Sequence, residues 1–234
     1  MSEHLSRQFD AELDGIRASL TRMGGMVEEQ VRSALTAFAE GDRDLIELVI
    51  ARDAGVDEME IAIDTACMHV IARRQPTAID LRMVMSAGKV VTDLERIGDE
   101  AKKIARATRK ILERGSHGPT QILEVRHTGE LAATMLNRVL DAFVRLDIET
   151  AADIVRCDRE IDQHFRAIVR QLITYMMEDP RTISTALDIV FIAKSVERIG
   201  DHCKNVAEDI VYIAKGRDVR HMGLDGLKRE IAAE

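Results

Sequence analysis

The 234-residue sequence predicts an all-α fold of six long helices that form two tandem, homologous three-helix bundles. Its composition favours helices, because hydrophobic residues make up 46% of the chain, aromatic residues only 3%, and there are 11 Met but 3 Pro. Strands prefer aromatic and β-branched residues, whereas Ala, Leu and Met are good helix formers. Two further observations support this class: apolar residues recur at helical spacing, and the second half of the chain repeats the first.

Five breaks separate the six predicted helices. Proline suits the first turn of a helix but breaks its interior, and Asp is a favoured N-cap. In chain order the breaks are Gly41-Asp42, Pro76, Pro119, Leu146-Asp147 and Pro180. Each break therefore ends one predicted helix and precedes the next.

The first and last helices show the apolar spacing most clearly. The first carries Leu5, Phe9, Leu13, Ile16, Leu20, Met23, Val27, Val31, Ala34 and Phe38. The sixth carries Val196, Ile199, Cys203, Val206, Ile210 and Ile213. Steps of three and four place these residues on one face of a helix. Helices of about 30 residues are about 45 Å long, and one apolar stripe on each implies a bundle with short loops and up-down neighbours.

The two halves of the chain are related by an internal duplication. Identical pairs lie 105 residues apart at Leu35/Leu140, Ala37/Ala142, Phe38/Phe143, Asp42/Asp147, Asp53/Asp158 and Asp57/Asp162. The offset is 104 at the prolines that open the third and sixth helices, and 102 at the pentapeptide ERIGD, which begins at Glu95 and at Glu197. Identity in register with shared breaks is typical of a tandem repeat. We therefore expect a first bundle at 1–115, a second at 119–215 and a polar C-terminal tail at 216–234.

The composition excludes several classes of protein. The net charge of −8 disfavours nucleic acid as a main partner. The longest run without Asp, Glu, Lys or Arg covers nine residues, 115–123, whereas a membrane span needs about 20. The N-terminus has no apolar secretory segment. The three cysteines are odd in number and widely spaced, which argues against a disulfide framework and against a Cys-type zinc site. A cytoplasmic protein with reduced thiols is expected.

Each half carries an Asp-x-x-x-Asp pair on its second helix and a Glu-x-x-x-Asp pair on its third. The pairs are Asp53 and Asp57, Glu95 and Asp99, Asp158 and Asp162, and Glu197 and Asp201. A spacing of four places both carboxylates on one helix face. If the second and third helices pack side by side, four carboxylates come together in each half. Such hard oxygen ligands suit Mg, Ca, Mn or Fe, and Zn less selectively.

The same carboxylates also fit a solvated acidic face that holds no metal. Acidic pairs at this spacing are expected by chance in a chain with 41 Asp and Glu residues. Lys102 and Lys204 lie three residues beyond Asp99 and Asp201 and are candidates to neutralise them. The sequence therefore leaves two interpretations of the acidic pairs, a metal site and a solvated surface.

Glycine inside the pentapeptide favours close helix packing. Gly98 and Gly200 lie within predicted helices, where glycine costs about 1 kcal/mol relative to alanine. Close approach of a neighbouring helix or of a ligand would explain that cost, and we expect helix packing to be the reason.

No catalytic motif is present in the sequence. It contains no Gly-rich phosphate loop, no Gly-x-Ser-x-Gly elbow, no His-Glu-x-x-His and no Cys-x-x-Cys. We therefore predict no catalytic residue and expect a protein that is not an enzyme.

The duplicated motifs resemble those of the PhoU family. In the first half the motif is DLERIGD at 93–99, preceded by QP at 75–76 and by DLR at 80–82. In the second half it is ERIGDH at 197–202, followed by Asn205 and by AED at 207–209. The resemblance covers nearly the whole chain, and the duplication of the motif makes it specific.

The resemblance implies a fold, a function and partners. PhoU proteins are two three-helix bundles in one chain and are cytoplasmic regulators of bacterial phosphate uptake. Their implied partners are the ATPase subunit of the phosphate ABC transporter and the sensor histidine kinase of the phosphate two-component system. When phosphate is plentiful they keep the phosphate regulon silent. A homodimer is also expected, without nucleic acid or a membrane span.

The resemblance also implies metal ligands. Family members carry iron or zinc clusters on Glu/Asp-x-x-x-Asp motifs, which would make the eight carboxylates above the ligands here, with Mg or Mn not excluded. Asn205 and Glu208 would assist in the second half, but the matched residues in the first half are Lys103 and Arg106. The two sites are therefore expected to be unequal.

Other functions remain open from the sequence. One is a metal-storage or metal-dependent hydrolytic protein, although the Glu-x-x-His motif of ferritin-like proteins is absent. Another is a helical scaffold whose acidic residues are only solvated, and a third is a PhoU-like protein that serves another transporter.

Overall fold

The computed structural model describes residues 2–115, 122–220, 222, 226, 229 and 230, and it confirms the all-α fold. The six helices are α1 (Ser2–Glu40), α2 (Arg43–Arg74), α3 (Ala78–Glu113), α4 (Ile122–Arg145), α5 (Ile148–Glu178) and α6 (Ile183–Lys215). One turn of 3-10 helix, Pro180–Thr182, precedes α6. No helix among the described residues is long and apolar enough to span a membrane.

Hydrogen bonds confirm the predicted N-caps at two of the five breaks, Asp42 and Asp147. The carboxylate of Asp42 accepts a hydrogen bond from the backbone N–H of Leu45 at 3.0 Å and begins α2. Asp147 occupies the matched position before α5 and accepts from the backbone N–H groups of Glu149 and Thr150. These bonds satisfy N–H groups that have no partner within the helix. The predicted junction with Pro119, and most of the predicted tail, lie outside the described residues.

Helices α3 and α6 form the centre of the molecule. In the first half α1 and α2 pack on α3, and in the second half α4 and α5 pack on α6. The two central helices run antiparallel along each other: Lys89 near the start of α3 pairs with Asp209 near the end of α6, and Arg114 just after α3 pairs with Asp188. Buried apolar residues of both halves form one continuous core. We call the contact between α3 and α6 the central seam.

The apolar stripe of α1 is confirmed as core. From Leu13 to Phe38 its predicted residues are buried, and Phe9 packs partly buried against the core. The stripe of α6 is buried as well. The spacing of apolar residues therefore identified the inward faces correctly.

A second contact between the halves depends on two small residues. Helices α1 and α4 cross where Gly24 lies against Leu140 and Gly129 lies against Leu35. A methyl group at Gly24 would lie 2.5 Å from Cδ2 of Leu140. The glycines are 105 residues apart, as are the leucines, so the crossing is a reciprocal contact created by the duplication.

We expect Gly24→Val to lower the free energy of unfolding by about 2 kcal/mol, because the added side chain must displace Leu140. Gly25→Val is the matched control, since Gly25 is exposed and a Cβ atom there meets nothing within 4 Å. The control should change stability by less than about 0.5 kcal/mol. Urea unfolding followed by circular dichroism measures both, and equal losses would contradict a close helix crossing at Gly24.

Candidate functional site

The eight predicted carboxylates lie in two matched sets, one between α2 and α3 and the other between α5 and α6. The most deeply buried members are Asp53 on α2 and Asp158 on α5, each 4% exposed. Each is the first Asp of its Asp-x-x-x-Asp pair. Glu197 is also buried, while Asp57 and Asp201 are exposed. The remaining three, Glu95, Asp99 and Asp162, are half-buried.

A lysine neutralises the buried Asp in each half. The ammonium of Lys102 on α3 forms an ion pair with Asp53 on α2. The matched Lys204 on α6 lies 3.3 Å from Asp158 on α5. The lysines were candidates to neutralise an acid on their own helix, but both reach across to the neighbouring helix instead. The same cross-helix pair therefore occurs in both halves.

The carboxylates of the first half lie close enough to repel one another. Burial raises the pKa of Glu95, and nearby negative charges raise it further. Those charges belong to Asp99, Glu60, Asp57 and Asp53. A protonated or cation-bound state at Glu95 relieves this repulsion.

The second half shows the same effect at a deeper position. Burial raises the pKa of Asp158 to about 6, against the opposing charge of Lys204. The carboxylates of Asp201 and Asp162 add to the rise. Each half is thus an acidic face whose innermost carboxylate is paired with lysine.

The donor chemistry of these faces fits a hard cation, but their side chains are not gathered into a coordination shell. Across residues 2–115 and 122–220, no group of three or more His, Cys, Asp or Glu side chains is placed to hold a metal ion. A metal ion bound at either Asp would compete with the lysine ammonium and would need the outer carboxylates to turn inward. Metal binding therefore stays a prediction.

The pentapeptide glycines allow the third helix of each half to lie close to the second. A Cβ atom at Gly98 would lie 3.3 Å from Oε1 of Gln30 on α1 and 3.5 Å from Val56 on α2. One at Gly200 would lie 3.1 Å from Ile161 on α5. Val56 and Ile161 occupy matched positions of the repeat. The prediction of tight helix packing is confirmed, and this packing holds the Glu-x-x-x-Asp pairs next to the α2 and α5 pairs.

Sequence reasoning missed a buried polar cluster in the central seam. Asp93 on α3 is 6% exposed and its Oδ1 lies 2.8 Å from Nδ1 of His202 on α6. The side-chain amide of Asn205 donates to the same oxygen at 3.1 Å. Asn205, which the resemblance placed beside the metal, therefore contacts Asp93. We call Asp93, His202 and Asn205 the seam cluster.

A second ion-pair group crosses the seam nearby. Glu100 on α3 is buried and accepts from Lys103 at 3.0 Å and from Arg198 at 2.9 Å. One signal in the sequence points to both groups: Asp93 matches Ser195, and Glu100 matches His202. The repeat is broken at these positions because residues of the two halves contact each other across the seam. Such a contact needs complementary residues, as in the pair of Asp93 and His202, rather than identical ones.

Glu208 is a strongly perturbed acid outside the predicted pairs. It is 8% exposed, and burial raises its pKa from the usual 4.5 to about 7, opposed by Lys204. Because the folded state holds this proton more tightly than the unfolded state, stability that is present below about pH 4 is lost as the pH rises towards 7. Glu208 thus makes folding weaker at neutral pH.

We expect Glu208→Gln to remove this loss. The variant should be more stable than the parent by about 2 kcal/mol near pH 8 and should differ little near pH 4. Urea unfolding across that pH range measures the difference, with the exposed Glu178→Gln on α5 as control. A Glu208→Gln variant that follows the parent at every pH would contradict the raised pKa.

Comparisons with known proteins agree with the fold and the duplicated motif. The family model described as the PhoU domain matches twice, at residues 20–108 and 125–210. A protein of Escherichia coli named "Phosphate-specific transport system accessory protein PhoU" is 49% identical over 236 residues, which cover 100% of this chain and 96% of that protein. A Pseudomonas putida protein named "Phosphate-specific transport system accessory protein PhoU homolog" is 46% identical over 231 residues, which cover 99% of this chain and 90% of that protein.

Two crystal structures have the same fold. The structure titled PhoU from Pseudomonas aeruginosa superposes with a TM-score of 0.87 at 44% identity, over 89% of this chain and 100% of that chain. The phosphate transport system regulatory protein PhoU from Streptococcus pneumoniae gives a TM-score of 0.83 at 31% identity, over 90% and 99%. The PhoU domain matches the chain twice, similar proteins match it along nearly its whole length, and two PhoU crystal structures share its fold. The chain therefore belongs to the PhoU family.

Proposed function

We propose that this protein is a non-enzymatic, cytoplasmic regulator of phosphate uptake. It acts as an adaptor between the ATPase subunit of the phosphate ABC transporter and the sensor histidine kinase, and it represses the phosphate regulon when phosphate is plentiful. The observation that carries the proposal is similarity along the whole chain to proteins named as accessory to phosphate-specific transport. The duplicated acidic faces support it, because their exposed carboxylates offer a charged surface on which a partner can dock.

The acidic faces give the adaptor an electrostatic mode of docking. Their outer carboxylates Asp57 and Asp201 are exposed, while Lys102 and Lys204 neutralise only the inner acids. A cluster of exposed negative charges attracts a positively charged partner surface and speeds its association. Removing the charges of Glu197 and the exposed Asp201 should therefore weaken docking at the second face, while the pair between Lys204 and Asp158 stays in place.

A deletion strain tests the proposed function. Without the protein, genes of the phosphate regulon should be transcribed even in phosphate-rich medium, and the wild-type chain should restore repression. Glu197→Gln/Asp201→Asn should fail to restore it. Asp10→Asn/Asp14→Asn, an exposed acidic pair of the same spacing on α1, is the matched control and should restore it. Repression in the deletion strain would contradict the function, and full restoration by the first variant would contradict the role of the face.

We also propose that the eight carboxylates bind metal ions, iron or zinc by family resemblance, with Mg or Mn as alternatives. A bound cation would supply positive charge to each face and relieve the repulsion around Glu95. Elemental analysis of protein purified without chelator should give stoichiometric metal that falls in Glu197→Gln/Asp201→Asn. Metal absent from both proteins, even after incubation with these ions, would overturn this part of the proposal.

A further inference from the structure

A groove of about 380 Å³ runs along the central seam between α3 and α6. Its α3 wall presents Lys103, Arg106 and Lys110, and its α6 wall presents Phe191, Lys194 and Arg198. Steps of three and four place each set on one helix face. All six side chains are exposed. We call this surface the basic groove. It borders the acidic face of the second half, because Lys194 pairs with Glu197.

The charge of the basic groove is opposite in sign to that of the chain. Five of its lining side chains are cationic and two, Glu100 and Asp188, are acidic, whereas the protein as a whole carries a net charge of −8. Asp188 is paired with Arg114. Buried Glu100 pairs with both Lys103 and Arg198 and so neutralises part of their combined positive charge. Lys194 pairs with Glu197. In the described part of the chain, Arg106 and Lys110 have no ion-pair partner.

The unpaired cations have a physical consequence. Lys110 lies in the last turn of α3, where a cation interacts favourably with the helix dipole, but exposed cations of this kind contribute little to stability. A cluster of cations does create a local positive potential, which steers negatively charged partners to it. The charge therefore favours an acidic partner.

An apolar stripe continues from the basic groove along α6. Phe191 is 63% exposed, and Leu187 and Ile183 are 44% and 41% exposed. They are four residues apart, so they line one face of the first two turns and reach the start of α6. From Ile183 to Arg198 the surface is about 22 Å long, the length of a four-turn helix.

The combination of apolar and basic residues selects among acidic partners. A small anion such as inorganic phosphate pairs with Arg106 and Lys110 but leaves the apolar stripe in water. An amphipathic helix buries an apolar face in such a groove while its charged edges face the rim. Aromatic residues and Arg are enriched in the cores of protein interfaces, and the basic groove offers both in Phe191 and Arg106.

We propose that the basic groove binds an acidic amphipathic helix of a partner protein. The apolar face of that helix covers Ile183, Leu187 and Phe191, and its carboxylates pair with Arg106 and Lys110. The inference rests on the proposed adaptor function, which requires two partners and therefore two surfaces. The acidic faces attract one partner and the basic groove attracts the other.

A designed peptide tests the groove without either cellular partner. The probe is an 18-residue, end-capped, fluorescein-labelled helix with Leu and Phe at i, i+3, i+4 and i+7 and Glu at the other exposed positions. Fluorescence anisotropy should detect binding to the full chain. Binding should weaken about tenfold in Phe191→Ser and again in Arg106→Glu/Lys110→Glu. Circular dichroism confirms that each variant keeps its helical content.

The matched control is Arg166→Glu/Arg170→Glu on α5. These two residues are exposed, four apart, and the substitutions change the net charge by the same amount. Peptide binding should be unchanged in the control. Equal weakening in both charge-reversal variants, no binding to the wild type, or equal binding of a scrambled peptide of the same composition would overturn the proposal. Displacement of the peptide by excess inorganic phosphate, but not by chloride of equal ionic strength, would identify a phosphate site instead.

The peptide assay and the deletion strain test the groove and the proposed function independently. The peptide assay contains no transporter or kinase, so a chain that binds the peptide but fails in the deletion strain loses only the adaptor role. A chain that restores repression in the deletion strain but does not bind the peptide loses only the groove.

Discussion

Replacing Lys102 by methionine is expected to lower the free energy of unfolding by about 3 kcal/mol, because a buried carboxylate is left without its counter-charge. Asp53 is 4% exposed and the side chain of Lys102 is 20% exposed, so water replaces little of the lost interaction. The matched Lys204→Met should cost less, since the side chain of Lys204 is 35% exposed. Urea unfolding followed by circular dichroism measures both losses.

Two controls isolate the buried pair. Arg52→Met breaks an exposed ion pair with Glu29 and should cost less than about 1 kcal/mol. The double variant Lys102→Met/Asp53→Asn removes both charges and should recover much of the stability lost in Lys102→Met alone. If Lys102→Met were no more harmful than Arg52→Met, the ion pair would not stabilise the contact between α2 and α3.

The second large effect is expected at the seam cluster. Asp93→Ala removes the acceptor shared by His202 and Asn205, so the buried imidazole of His202 and the half-buried amide of Asn205 both lose this partner. Each such group costs about 1–3 kcal/mol, so we expect a total loss of about 3 kcal/mol. Asp93→Asn keeps an acceptor oxygen and should cost less. Stability measured by urea unfolding gives the size of each loss.

Hydrogen exchange shows where the Asp93→Ala loss acts. Because the seam cluster joins the two halves, amides of α3 and α6 that face the seam should exchange faster in Asp93→Ala, whereas the outer helices change less. Asp141→Ala is a suitable control, since Asp141 makes an exposed pair with Arg145. Unchanged exchange at the seam together with a small stability loss would contradict a structural role for the cluster.

The sequence was sufficient to predict the helices and the duplication. Apolar spacing located the buried face of α1, and Asp42 and Asp147 cap helices as expected. Both kinds of signal are local, because helix periodicity and capping depend on residues within a few positions of each other. Gly98 and Gly200 could be interpreted for the same reason, since glycine in a helix indicates close approach of a neighbour.

The contacts between helices could not be predicted in the same way. Spacing shows that Lys102 is near Asp99 along α3, but a long side chain can reach the adjacent helix, and Lys102 pairs with Asp53. The seam depends on which helices of the two halves face each other, and neither composition nor periodicity determines that choice. Its sequence signal was the mismatch between repeat positions, such as Glu100 against His202, where complementary rather than identical residues are needed.

The duplicated architecture suits a protein that connects two partners. Each half contributes an acidic face between its second and third helices, and the seam between the halves carries the basic groove. Surfaces of opposite charge attract different partners and repel the wrong one, which allows two partners to be held without competition.

Simultaneous binding of both proposed partners is the most direct test of the adaptor role. The purified chain is mixed with the ATPase subunit of the phosphate transporter and with the cytoplasmic part of the sensor kinase, each alone and together, and the complexes are sized by light scattering after gel filtration. We expect each pair to form a complex and all three proteins to elute as one ternary complex. Binding of neither partner, or displacement of one partner by the other, would contradict the adaptor role.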